Sequence, residues 1–339
     1  MEESPVIVQV KDLDVRFPLA DGKAVQACDK VNFEVRERET VGLVGESGSG
    51  KTTVGRCLVH LEKPTGGEIW FKGERVDHLS QKDFRPYRKK VQIVFQEAFD
   101  SLDGRYTIAQ AIEEPLRLYG TKDKALRERR ADELLEQVGL SKALRSSRPG
   151  ELSAGDQQRV AIARVLAVEP SFIVLDEPTS NLAPEAERDL IDLLQRLQEE
   201  FALSYLFISH DLSLVRHFCD SVAVMYLSQV VEKGPTDAIF GGALHPYSQA
   251  LLESVLQPDP AHRLERRRDR LQLAGEIPSP IDLPKGCYLA SRCPLAIDRC
   301  RTDRQELLSV GPEHWARCWR AVEDRENLTT AFARNLASR

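Results

Sequence analysis

Short apolar runs rich in Val, Ile and Phe recur along the chain and alternate with charged stretches of helical periodicity. Runs at Val6 to Val10, Val31 to Val35, Val41 to Val44, Ile69 to Phe71, Val91 to Phe95, Phe172 to Leu175, Tyr205 to Ile208 and Val222 to Leu227 predict strands. A helix is predicted to start near Lys51. Another starts at Pro184, which suits a first helical position, and puts Leu190, Ile191, Leu193, Leu194 and Leu197 on one apolar face. Between about Ala98 and Val168 no strand pattern is evident. That stretch carries charged helical sequence, such as Asp123 to Val138, and reads as a helical subdomain inserted into an α/β fold. There is no internal repeat of solenoid type.

Candidate chemistry sits where predicted strands end. After the buried run Val41 to Val44 comes Gly45-Glu46-Ser47-Gly48-Ser49-Gly50-Lys51-Thr52-Thr53, which fits the phosphate-cradling pattern GxxxxGK[ST]. The glycines let backbone N–H groups turn inward, and the following helix points its positive end at a phosphate. Lys51 would supply charge to the β/γ oxygens of a nucleoside triphosphate, and the Thr52 hydroxyl would take one Mg²⁺ position. The strand Phe172 to Leu175 ends in Asp176-Glu177, and neighbouring side chains at a strand end point in different directions. Asp176 can therefore face the metal while Glu177 faces the attacking water as general base.

With these two motifs the chain resembles the ATP-binding cassette (ABC) ATPases, and further elements follow in that family's order. By resemblance, Gln96 is the glutamine that senses Mg²⁺ and the γ-phosphate and faces the membrane subunits. Leu152-Ser153-Ala154-Gly155-Asp156 stands at the signature sequence, followed by a helix through Gln157 to Arg164. Ser153 and the Gly155 amide would cap the γ-phosphate of ATP held by an opposing subunit. His210 is similar to the switch histidine, and Phe17 to the aromatic that stacks on adenine, with Val25 as its apolar neighbour. Catalytic roles thus fall to Glu177, His210 and Gln96, and Mg²⁺ to Thr52, Gln96 and Asp176. The chain departs from the family at Ala154, at Asp156 and at Ala183, where an acid normally ends the loop after the second carboxylate. These departures bear on the site the chain completes for its partner.

Composition narrows the class further. The 339 residues carry a formal net charge of −6 with 29% charged residues, which argues against general nucleic-acid binding. No window approaches the roughly 18 consecutive apolar residues of a spanning helix. The start Met1-Glu2-Glu3-Ser4-Pro5 is acidic, unlike a secretion signal. The expectation is a cytosolic protein held at the membrane face by spanning partners. The arginine-rich run Arg263 to Arg270 has interleaved acids and reads as a solvated linker.

The last stretch resembles the extension of oligopeptide and dipeptide importer ATPases, at Leu244-His245-Pro246-Tyr247, Pro258-Asp259-Pro260, Gly275-Glu276-Ile277-Pro278 and Gly286-Cys287 onward. Of seven cysteines, Cys287, Cys293, Cys300 and Cys318 fall within it, whereas Cys28, Cys57 and Cys219 are scattered and read as core. In a reducing compartment such clustering points to metal before disulfide, and four thiolates without CxxC pairs suit iron–sulfur better than zinc. The resemblance implies a [4Fe–4S] cluster there; the bland reading is four thiols packing as small hydrophobes.

The expected organisation is a cassette over residues 1–243, with the helical subdomain at about 98–168, and an extension over 244–339. The resemblance implies an ATPase driving peptide uptake, with nickel, opines or other small solutes as alternative cargo. It also implies a second ATPase subunit, expected to be a paralogue, two permease subunits and an extracytoplasmic binding protein. A non-catalytic ATP-binding partner subunit is the rival reading. A soluble cassette acting on ribosomes or DNA is a second rival, but such proteins normally carry two cassettes or a long insertion.

Overall fold

The computed structural model describes residues 4–96, 101–253 and 273–323. The Pro258-Asp259-Pro260 stretch, the arginine-rich run and the first residues of the expected helical insertion lie outside them. Two sheets organise the chain. The first is antiparallel, in the order β2-β1-β4-β5, from β1 (Val6–Pro18), β2 (Ala24–Arg36), β4 (Gly66–Phe71) and β5 (Glu74–Arg75). The second is built on β3 (Thr40–Val44), β6 (Val91–Val94), β7 (Phe172–Asp176), β8 (Ser204–Ser209) and β9 (Ser221–Tyr226). These five run parallel in the order β9-β3-β8-β7-β6. Beyond β9 the sheet continues antiparallel through β10 (Gln229–Pro235), then β12 (His314–Ala316) and β11 (Leu308–Gly311).

The apolar runs correspond to these strands, and their continuity has a cause: both faces of the parallel sheet are covered. Leu43, Val174, Leu206 and Ile208 face a core shared with the antiparallel sheet and helix α1 (Lys51–Leu58). Val44, Leu175 and Phe207, one position on or back, face the other core. Gly55 lets α1 lie against the sheet, since a Cβ there would stand 2.9 Å from Val174 Cγ1. β1 and β2 extend well past their predicted runs. Register shifts between Val10, Leu13 and Val15 break their alternation, which hid the longer strands from a period-two reading.

On the other face lie α2 (Ile108–Leu118), α3 (Lys124–Gln137) and α4 (Ala154–Leu166), which pack on one another where the helical insertion was expected. α5 (Pro184–Phe201) buries the five apolar residues expected from its sequence. α6 (Leu212–Phe218) and α7 (Thr236–Gly242) are followed by helix α8 (Pro246–Glu253), and the boundary expected at residue 243 lies in the turn between α7 and α8. The extension does not stand apart, because β12 pairs with β10 and adds two strands to the cassette's own sheet. A small core of Leu244, Val310, Ala316 and Ala321 completes it. Among the described residues no helix is long and apolar enough to cross a membrane.

Candidate nucleotide site

Parallel strands place the candidate residues at one end of the sheet, where open α/β folds bind ligands. Val44 is opposite Ser209, Val94 opposite Leu175, and Asp176 opposite Ile208, so Gly45, Gln96, Glu177 and His210 leave the same edge.

The loop Gly45 to Gly50 turns β3 into α1. Gly45 and Gly50 have φ of 148° and 104°, and a Cβ on either would lie 2.1 Å from a carbonyl oxygen, that of Met225 or Ala27. Only glycine fits both requirements. Gly50 caps α1 without a side-chain hydrogen bond, so the first helical N–H groups are left for a ligand. Lys51 is buried, and its Nζ donates to the carbonyls of Gly45 (2.8 Å) and Glu46 (2.9 Å). Burial lowers the lysine's pKa, while the charges of Glu177, Asp176 and Glu46 act to raise it. A buried ammonium resting on two carbonyls is ready to take an anion. Ser47 and Gly48 are exposed at the loop tip, Ser49 is buried, and Thr53 lies half-buried one residue after Thr52.

Asp176 is buried and accepts from Thr52 Oγ1 at 3.1 Å. Burial raises its pKa against the Thr52 hydrogen bond, so a cation there would be stabilised by a carboxylate that gains from being paired. Hard oxygen donors at this spot fit Mg²⁺. Glu177 adopts φ 47°, a left-handed conformation costing a non-glycine residue about 1–2 kcal/mol. Its N–H donates to Ile208 O, and its own carbonyl accepts from Ser180 N and Oγ. This backbone clamp turns the Glu177 side chain to His210, whose Nδ1 is 3.3 Å from Glu177 Oε2. His210 is largely exposed, open to a reacting group. Gln96 is exposed just after β6.

Phe17 and Val25 are register partners on β1 and β2, with Phe17 36% exposed, so a flat apolar surface is open to a base. Ser153 and Gly155 sit apart, at the start of α4, and among the described residues they make no hydrogen bond with the phosphate loop. Ser153 caps α4 by accepting from Asp156 N at 3.2 Å and donates its hydroxyl to Asp156 Oδ2 at 2.8 Å. Ala183 is the N-cap of α5 and offers no side-chain acceptor.

Cys287, Cys293, Cys300 and Cys318 line a single cavity of about 20 Å³, beside His245, Leu289 and Leu295. Desolvation raises the thiols of Cys287 to about 12 and Cys318 to about 11. The described residues nevertheless contain no group of three or more His, Cys, Asp or Glu that could hold a metal ion. The four thiols therefore form no ligand set for a metal ion in this conformation, and the cavity they share is little larger than one water needs.

Sequence reasoning missed a contact from the extension to the phosphate loop. Tyr247 OH accepts from Glu46 N at 2.9 Å, and Arg292 Nη1 stands 3.8 Å from Glu46 Oε2. Only the quoted motif around Tyr247 marked its neighbourhood, and no local signal tied it to Glu46. Asp29 on β2 is a second tie, accepting from Tyr288 OH and from Arg304.

Comparison with known proteins agrees with this geometry. Residues 28–180 match the ABC transporter family, and residues 231–300 match the oligopeptide/dipeptide transporter C-terminal region. The chain is 42% identical over 319 residues to the oligopeptide transport ATP-binding protein AppF of Bacillus subtilis (strain 168), covering 92% of this chain and 96% of that one. Among solved structures it resembles a post-hydrolysis dimer of the ATP-binding cassette MJ0796 bound to ADP and Pi. That match has a TM-score of 0.63 at 30% identity and covers 68% of this chain and 99% of the other. The structure of cbiO1 from Clostridium perfringens matches with the same TM-score at 28% identity, over 70% of this chain and 92% of that one. The chain belongs to the ABC transporter ATPases, in the group that carries the oligopeptide/dipeptide transporter C-terminal region.

Proposed function

We propose that the chain is the ATP-hydrolysing subunit of a membrane importer of di- or oligopeptides, working at the cytoplasmic face through permease subunits. The observation that carries the hydrolytic part is the meeting of Lys51, Thr52, Asp176, Glu177 and His210 at one end of the sheet. The peptide cargo rests on the extension and on the relatives that share it. In this reading the phosphate loop and Lys51 hold the triphosphate, Phe17 and Val25 carry the adenine, and Glu177 takes the proton of the attacking water. His210 orients that water, and Gln96 reports the γ-phosphate to the permease. Mg²⁺ bound through Thr52, Asp176 and Gln96 would neutralise charge developing on the phosphates.

Ser153 and Gly155 would complete the site of an opposing cassette. Asp156 already engages the Ser153 hydroxyl, and Ala183 presents no carboxylate, so a homodimer would carry both weaknesses twice. A paralogous partner is the pairing these residues favour. Vesicles holding the chain with its permease subunits test the function: peptide-loaded binding protein should raise ATP turnover severalfold. A chain that leaves mild detergent extraction without permease subunits, and whose turnover ignores peptide, would overturn it.

We also propose that Cys287, Cys293, Cys300 and Cys318 would hold a [4Fe–4S] cluster. Four soft ligands on one cavity support this by number and chemistry, and a cluster takes one thiolate per iron, so its ligands stand farther apart than those of one ion. Such a group would supply a structural staple or redox sensitivity to the extension. A brown anaerobic preparation that loses its visible absorbance on Cys293→Ser is the expected result. Colourless, iron-free protein from the same preparation rejects the cluster.

A further inference from the structure

The peptide unit that joins Gly45 to Glu46 is held at both ends. Its carbonyl accepts from Lys51 Nζ at 2.8 Å, and its N–H donates to Tyr247 OH at 2.9 Å. Tyr247 is fully buried and fixed by its own surroundings. Its ring lies 4.6 Å from that of Tyr226, and its N–H donates to His245 Nδ1, a ring kept neutral by burial. The next peptide along, through the Glu46 carbonyl, carries the second Lys51 contact. The Glu46 side chain is approached by Arg292, which also donates to Tyr226 OH at 3.4 Å. Glu46 Oε2 and Arg292 Nε are both buried without a hydrogen-bond partner, so this pair is near closure but not closed.

We infer that Tyr247, supported by Arg292, is a positioning residue for Lys51: it fixes the peptide plane on which the lysine rests and so sets where the ammonium meets the triphosphate. A peptide is planar, so its N–H and C=O turn together. Without the phenol oxygen, the Glu46 N–H turns toward another acceptor, and the Gly45 carbonyl swings away from Lys51. The extension thereby becomes part of the nucleotide site of its own cassette, although it touches no phosphate. The inference rests on the ATPase reading for its consequence, but on the loop's geometry for its cause.

Tyr247→Phe keeps the ring and its packing and removes one oxygen. In the full chain the Kd for Mg-ATP should rise about fivefold, the equivalent of one hydrogen bond, with the nucleotide-free melting temperature lowered by no more than about 3 °C. In the assembled complex KM should rise by a similar factor, with kcat at saturating ATP within about twofold of wild type. Arg292→Gln should weaken ATP binding in the same direction, and Arg292→Lys, which retains the charge, should recover part of the loss. Wild-type affinity in Tyr247→Phe would overturn the inference, as would a loss of affinity accompanied by a fall of about 10 °C or more in the nucleotide-free melting temperature, which marks general loosening. An assembled wild-type complex in which this chain binds Mg-ATP but turnover is unaffected by Glu177→Gln would sink the ATPase reading and leave the positioning role standing on the binding data.

Discussion

Glu177→Gln is expected to cut ATP turnover by the assembled complex about 10²–10⁴-fold while leaving Mg-ATP binding intact. The amide keeps the size of the carboxylate and its place beside His210, but it cannot accept the proton of the attacking water. Nothing that holds the nucleotide is changed: Lys51 keeps its two carbonyls, and Thr52 keeps Asp176. The left-handed backbone at Glu177 is fixed by Ile208 O and by Ser180, which the substitution does not touch. Removing one negative charge near Lys51 and Asp176 should, if anything, favour a bound triphosphate, so ATP should accumulate on the protein. Turnover and nucleotide occupancy measured together at saturating Mg-ATP check this. Near-normal turnover would move the chemistry to the partner cassette and make this chain an ATP-binding clamp.

Glu232→Ala should destabilise the extension by about 3–5 kcal/mol, the usual cost of removing one side of a buried charged hydrogen-bond set. Glu232 has no exposed surface. One carboxylate oxygen accepts from Leu244 N at 2.7 Å and stands 2.8 Å from His314 Nε2; the other accepts from His245 N at 3.0 Å. These three partners come from the two ends of the extension, the entry to α8 and strand β12. Alanine leaves two buried amides and an imidazole without an acceptor. Chemical denaturation should show a lower midpoint, and limited proteolysis should release the extension before the cassette. Because Tyr247 lies two residues beyond His245, nucleotide affinity should fall with it. Glu232→Gln, which keeps an acceptor but adds donors, should lie between. An unchanged midpoint in Glu232→Ala would show that the carboxylate does not anchor the extension.

The parts of the site that were legible in sequence are those whose chemistry is carried by contiguous residues. A buried strand followed by a glycine loop, or by two acids, keeps its meaning locally, because parallel strands must deliver their ends to one edge. Thus Gly45 to Thr53, Asp176 and Glu177 were read from local motifs and His210 only from its resemblance to the family's switch histidine, and strand register brings all of them to one edge. The strands that escaped notice are β10, β11, β12 and the two-residue β5. Buried Glu232 interrupts the apolar pattern of β10, and β11 and β12 are too short for alternation to register. The link between Tyr247 and Glu46 spans 201 residues and leaves no trace in spacing or periodicity.

The cysteines show the same divide. Their clustering near the end of the chain was visible by count, and the fold brings all four to one cavity. Their side chains do not form a metal-holding group among the described residues, which depends on rotamers and depth that no spacing encodes. Likewise, Asp156 was legible as a departure from the signature, but its engagement of the Ser153 hydroxyl emerged only from the geometry of the α4 cap.

Sequence by itself determined the α/β plan, because hydrophobic periodicity carries it; the phosphate loop and the carboxylate pair were read from short-range motifs, and the cysteine-bearing extension came only through its resemblance to importer ATPases. Tertiary structure alone decided that the extension joins the cassette's sheet, that Glu232 pins it there, and that Tyr247 and Arg292 reach back to the phosphate loop. Those contacts arise from buried polar groups finding partners far along the chain, a requirement imposed by desolvation in the folded core and invisible to any local pattern.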